Sequence, residues 1–230
     1  MRKKFIDARG SDNNKGIIIV SLVKIMLISL FIISFSIALP LIWRGFYYWH
    51  IEFLKLDSIT PWSYTQIKEA FDDVMNFCIF GSDFGTGVLK YSAAGKAHFE
   101  DCRRLFRLDF ILFFLSIAGG IFLTVKVPNQ VYFWGHGVKF WGGILPVILF
   151  AVSSASVFLI GFDNAFVIFH KIFFPGKTNW VFYPWEDEII QILPECFFAD
   201  CALLIFVSVV LLGCVFVLVD YMEGSRSGRL

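Results

Sequence analysis

The sequence predicts a mainly α-helical membrane protein: a four-transmembrane-helix bundle with an extracellular cap from its first and third loops, and a short β-hairpin within that cap. Three observations carry this. First, the chain has 230 residues, of which 57% are hydrophobic and only 17% charged; a soluble domain carries about a quarter charged residues and could not hide so much apolar surface. Second, four apolar runs lie along the chain, at Ile17–Ile42, Phe110–Val125, Phe140–Phe162 and Cys201–Val219. A helix needs about 20 residues to cross the hydrocarbon, so the second run borrows from its flanks. Third, ionisable residues cluster between the first and second runs and between the third and fourth. The spans are therefore expected at about 17–42, 106–125, 140–169 and 201–219, with cap segments at about 43–105 and 170–200, all within one membrane domain.

The first run is too long for a signal peptide, carries Lys24 inside it, and has no small-residue cleavage site after Pro40. Lys24 sits near the inner boundary, to which its long stem can snorkel. Arg2, Lys3, Lys4, Arg9 and Lys15 precede the first span, and Arg226 and Arg229 follow the last. An excess of Lys and Arg marks the cytoplasmic side, so both tails are expected there. The loop around 126–139 is then short and internal, and the two long segments face outward, where irregular connections on a rigid scaffold usually carry function.

The first outer segment opens with WRGFYYWH, whose Trp43, Tyr47, Tyr48 and Trp49 suit a membrane interface. A helix is expected from Pro61 to Phe77, capped by Thr60, with Tyr64, Ile67, Phe71 and Met75 on one face. The Gly-rich stretch GSDFGTG leads into AAGKAHFEDCRRLFRLDF, read as a helix that runs into the second span. There His98 and Asp101 stand at i and i+3 and share a face. Asp101 can orient the imidazole or pair with Arg103 or Arg104, or the charges can simply be solvated.

In the second outer segment the third span is expected to continue toward His170. That places Asp163 and His170 on one helix face, about 10 Å apart along the axis. Pro175 and Gly176 end the helix. WVFY and EIIQIL around PWED suggest two strands and a turn.

The segments HFEDCRRLF and HKIFFPGKTNWVFYPWEDEIIQILPECFF resemble the signature of the bacterial lipoprotein intramolecular transacylase family. His98, Asp101, His170, Trp180, Phe182, Asp187, Pro194 and Glu195 stand where that pattern places them, while Cys102 and Arg103 depart from it. The resemblance implies an intramolecular acyltransferase of the bacterial cell membrane, with its site at the outer face. Its substrate is a lipoprotein whose N-terminal Cys carries a diacylglyceryl thioether and a free α-amine. The sn-2 acyl chain moves to that amine, giving a lyso-form lipoprotein. It further implies His98 and His170 as the catalytic pair.

The chemistry agrees with these residue types. An α-ammonium with a pKa of about 7.7–8.0 must lose a proton before attack, and the leaving glycerol oxygen must gain one. Histidine does both near neutrality. The substrate brings its own nucleophile, and the chain has no GxSxG elbow, Walker A or dinucleotide fingerprint, so no cofactor is expected. Asp101, Asp163, Asp187 and Arg104 are the candidate supporting residues. Trp180, Phe182, Phe173, Phe174 and Tyr47 are the candidate walls for acyl chains. His50 and His136 are read as ordinary interfacial histidines. A Cys102–Cys196 disulfide is compatible with an oxidising exterior. The expected partners are diacylglyceryl-modified lipoproteins and membrane lipid; a net charge of +1 gives no basis for nucleic acid. The sequence leaves the oligomeric state open. Two other readings stand beside the transacylase: a metal-dependent membrane hydrolase using both histidines and a carboxylate from Asp101, Asp163 or Asp187, and a non-enzymatic membrane scaffold.

Overall fold

A computed structural model describes residues 6–7, 15–128 and 131–226. Eight α-helices are seen among them: α1 Lys15–Ile42, α2 Arg44–Phe53, α3 Leu56–Ile59, α4 Tyr64–Phe80, α5 Ala93–Lys126, α6 Val138–Ile160, α7 Phe162–Phe173 and α8 Glu195–Arg226. A two-residue parallel ladder joins β1 Ile6–Asp7 to β2 Val131–Tyr132. Four helices, α1, α5, α6 and α8, are long and apolar enough to cross a membrane. They leave large side chains such as Phe114, Leu115, Phe158 and Leu211 bare, the surface that lipid covers. The protein is a multi-pass membrane protein.

The chain forms two compact units, one of residues 1–37, 110–154 and 205–230 and one of residues 38–109 and 155–204. In the first, helices approach closely at glycine. A Cβ on Gly143 would lie 2.7 Å from the Gly213 carbonyl oxygen, so α6 and α8 meet backbone to backbone, as small residues allow in lipid. Phe31 stacks on Phe113 at 5.7 Å and meets Phe216 edge-on at 6.1 Å. Lys24 is buried, and its ammonium donates to the Val127 carbonyl at 2.5 Å. That oxygen stands just past α5, at the negative end of the helix dipole, which lets the cation remain among apolar helices.

The second unit has the main apolar core. Tyr47 and Ile51 of α2, Ile67, Phe71, Val74 and Cys78 of α4, Leu89, and Ile189, Ile192 and Phe197 pack together. Burying each large side chain stabilises the unit by about 1.5–3 kcal/mol. Ser63 caps α4 in a reciprocal capping box with Gln66. The expected cap, Thr60, is spent elsewhere: its hydroxyl donates to the Leu56 carbonyl at 2.6 Å, so α4 starts later than the sequence suggested. Arg44 donates to Asp72 and Asn76, and Tyr48 donates to Asp72, fastening α2 to α4.

Two further expectations are corrected. The third apolar helix does not run on to 169. Gly161, at φ 82° and ψ 153°, holds a conformation open only to glycine and separates α6 from α7. The hairpin is absent too: residues 188–191 form a 3-10 helix. Ile189, Ile192 and Leu193 all face the core, a spacing that suits a helical turn and not the two-residue alternation of a strand.

That 3-10 turn latches the start of α5. The Asp187 carboxylate accepts from the Ser92 amide at 2.8 Å and the Ser92 hydroxyl at 2.9 Å, and the Gly95 amide donates to the Ser92 hydroxyl at 2.9 Å. The Lys90 amide donates to Glu188 at 2.7 Å, and the Glu188 amide returns a bond to the Lys90 carbonyl. A Cβ on Gly95 would fall 2.0 Å from an Asp187 carboxylate oxygen. Gly95→Ala should therefore push Asp187 off Ser92 and cost about 1–3 kcal/mol. Gly120→Ala, in the same helix but facing open space, should cost nothing. Thermal unfolding in detergent compares them; equal midpoints would show that the latch contributes nothing.

Candidate active site

His98 lies one turn beyond Gly95 in α5, and His170 lies in the last turn of α7; both belong to the second unit. Their rings lie 5.7 Å apart, and each is only 7% exposed. Residues far apart in sequence thus place two imidazoles within reach of one small group.

The walls are aromatic. Phe174 meets His98 edge-on at 5.0 Å, and Phe182 does so at 5.4 Å. Trp180 lies 4.7 Å from His170, and Phe166 lies 4.1 Å from it. Phe182 also packs against the core of this unit and Phe174 is itself buried, so the packing that holds the unit together helps fix the walls. A site with such walls excludes water, which strengthens every polar interaction inside it.

The tautomer of His170 is set by its own helix. Nδ1 lies 2.8 Å from the Phe166 carbonyl, which can only accept. The proton of neutral His170 is therefore on Nδ1, and Nε2 keeps a free lone pair. Burial holds the His170 pKa below the usual histidine range, only partly opposed by that hydrogen bond. His98 Nε2 lies 3.4 Å from the Cys102 sulfur, and its Nδ1 is buried with no hydrogen-bond partner among the described residues.

Asp101 does not orient an imidazole. Its carboxylate accepts from the Lys177 ammonium at 2.5 Å, from the Asn179 amide at 3.1 Å and from Arg104 at 3.3 Å. It is 6% exposed, and it ties the loop after α7 to α5. Arg104, exposed, is the outermost of its three partners. Lys177 and Asn179 lie inside the second histidine motif, but their spacing marks no role there; sequence reasoning overlooked them because only the fold carries them to Asp101.

The other candidates scatter. Asp187 is the latch on Ser92. Asp163 is exposed and hydrogen-bonds to Glu195. Phe173 is half-exposed and meets Phe169 at a tilt, 4.6 Å between rings. Tyr47 is a core residue: it stacks on Phe71 at 3.8 Å, donates to the Ile192 carbonyl at 2.8 Å, and has no free face for a substrate. His50 is fully buried between the Phe46 carbonyl and Asp200, so it is structural and not interfacial. His136 stacks on Phe140 at 3.9 Å in the first unit. Cys102 and Cys196 are both free thiols, which removes the disulfide. No three side chains of His, Cys, Asp or Glu converge as metal ligands among the described residues. The Asp101 carboxylate, one helical turn from His98, is occupied by Lys177 and Asn179.

No curated protein matches the chain significantly. Among solved structures, the lipoprotein intramolecular transacylase Lit from Bacillus cereus superposes with a TM-score of 0.81 at 23% identity, over 92% of this chain and 96% of that one. A variant of the same Bacillus cereus protein, with one histidine replaced by arginine, gives 0.76 at 22% identity over 91% and 93%. At this identity the likeness establishes the fold. The sequence profile of the family described as lipoprotein intramolecular transacylase Lit matches residues 22–198, most of the chain. This chain therefore belongs to the lipoprotein intramolecular transacylase family of membrane-integral acyltransferases.

Proposed function

We propose that the chain moves the sn-2 acyl group of a diacylglyceryl lipoprotein to the α-amine of the same molecule's N-terminal cysteine. His98 and His170 serve as the proton carriers. The observation that carries this is the imidazole pair, 5.7 Å apart in an aromatic box, with one tautomer already set.

The proton route follows from that tautomer. His170 Nε2 takes a proton from the substrate's ammonium, and the freed amine attacks the sn-2 ester carbonyl. The C–N bond forms and the C–O bond breaks as the proton on His170 passes to the glycerol oxygen. The imidazole pair then takes the second proton that the nitrogen must lose to become an amide and releases it to solvent, so the product is an isomer of the free-amine substrate. Like charges 5.7 Å apart repel, so the pair, neutral at rest, carries no more than one proton at a time during the transfer. Trp180, Phe182 and Phe174 hold the acyl chains and keep out the water that would hydrolyse the ester. The distribution of Lys and Arg supports both tails lying in the cytoplasm and this site opening to the outer face of a bacterial cell membrane, where mature lipoproteins are anchored.

His98→Ala and His170→Ala should each lower transacylation by about 10²–10⁴-fold while the protein still inserts. The double variant should lose less than the product of the two, because the pair works as a unit. The assay follows a diacyl lipopeptide with a free N-terminus and resolves its N-acyl isomer by fragment-ion mass spectrometry. Full activity in the double variant would end the proposal.

A second outcome concerns pH. Burial lowers the His170 pKa, so its neutral form is present above a midpoint below about 6.5 and is lost as pH falls through it. NMR of ¹³C-histidine-labelled protein, assigned with His170→Ala, reads that midpoint directly. A value of 7 or above would remove the neutral resting imidazole that the mechanism needs.

A further inference from the structure

The clamp on Asp101 leaves one polar atom unmatched. The Asn179 side chain donates through Nδ2 to an Asp101 oxygen at 3.1 Å. Asp101 also takes the Lys177 ammonium, so it is ionised and can only accept; the NH₂ of Asn179 must face it. The amide is thereby locked in one orientation, and its Oδ1 is left as an acceptor. That oxygen is buried and accepts nothing among the described residues. Its neighbours border the imidazole pair: Asp101, which it holds, shares a helix face with His98, and the next residue, Trp180, lays its ring on His170. The buried Nδ1 of His98 is likewise without a partner. Leaving a buried acceptor unmatched is costly, so such an atom beside a site points to a donor brought by the substrate.

Resting on the transacylase reading, we propose that Asn179 Oδ1 is the docking point for the α-amine of the lipoprotein's N-terminal cysteine. The substrate's chemistry selects that group. Its two esters and its thioether only accept, whereas the α-ammonium offers three N–H donors. One N–H goes to Asn179, and another is free to meet His170 Nε2. Asp101 acts one bond behind as a positioning residue: by holding Nδ2 it aims Oδ1 and strengthens it as an acceptor. The carboxylate is then used to orient the amine rather than an imidazole. Lys177, on the same carboxylate, keeps it ionised.

The test uses two inert ligands with the full-length protein in nanodiscs. One is a lipopeptide with both chains ether-linked and a free α-amine; the other is its desamino counterpart, with hydrogen in place of the amine. Wild-type protein should bind the amine form about tenfold more tightly. Asn179→Leu, which keeps the bulk but removes the acceptor, should reduce that preference to twofold or less. The readout is a ratio within one protein, so the folded fraction cancels. Should Asn179→Leu not insert, Asn179→Ala takes the same measurement. No amine preference in the wild type, or a preference undiminished in the variant, overturns the assignment. Conversion of the ester-linked lipopeptide by wild-type protein is scored separately. Conversion together with an undiminished preference in the variant sinks the Asn179 assignment alone, whereas no conversion by wild type sinks the transacylase reading itself.

Discussion

The position at which α5 begins governs the imidazole pair. Side chains rotate by about 100° per residue around a helix, so a start displaced by one residue would turn His98 away from His170. Asp187 prevents that displacement by engaging both the amide and the hydroxyl of Ser92, with Gly95 leaving it room. The facing side is fixed just as locally. Gly161 ends α6 and lets α7 begin in its own register, and the Phe166 carbonyl then sets the His170 ring. The two imidazoles face each other because two backbones are anchored independently; no bond between them is needed.

The acidic residues near the site act at one remove. Asp187 anchors the helix that carries His98, and Asp101 anchors the loop that carries Trp180. Keeping the carboxylates off the imidazoles has a chemical consequence. A carboxylate on a histidine favours its charged form, whereas these histidines lie among rings that favour the neutral one. A neutral imidazole with a bare Nε2 is ready to accept a proton, and an enclosure of phenylalanine and tryptophan suits a substrate that arrives with two acyl chains. The cost of such a site is buried polar atoms, His98 Nδ1 and Asn179 Oδ1, that have no partner among the described residues.

Much of this was legible in the sequence because the bilayer reads one-dimensional information. Four apolar runs become four long helices because a backbone in hydrocarbon must satisfy its own hydrogen bonds, whatever its neighbours. The two histidine motifs were equally readable, since a motif is a local pattern, and the family membership follows from them over most of the chain. Tyr47 was misjudged for a matching reason. An aromatic residue in a stretch such as WRGFYYWH has the composition of an interface wherever its ring points, and only packing shows that it stacks on Phe71.

By itself the sequence determined the membrane class, the four apolar helices, the helical setting of His98 and Asp101, and the residue types able to move protons. Tertiary structure alone decided which polar groups meet. Asp101 pairs with Lys177, 76 positions away, and Asp187 with Ser92, 95 positions away. Those pairings depend on how separate segments pack, which no local spacing encodes. The same holds for the 3-10 turn at 188–191: Ile189 and Ile192 carry strand-like propensity, but the core of the second unit takes them on one side, and burial outweighs propensity. Propensity and hydropathy act along the chain and can be read from it. Hydrogen bonds between buried side chains exist only once the chain has folded around them.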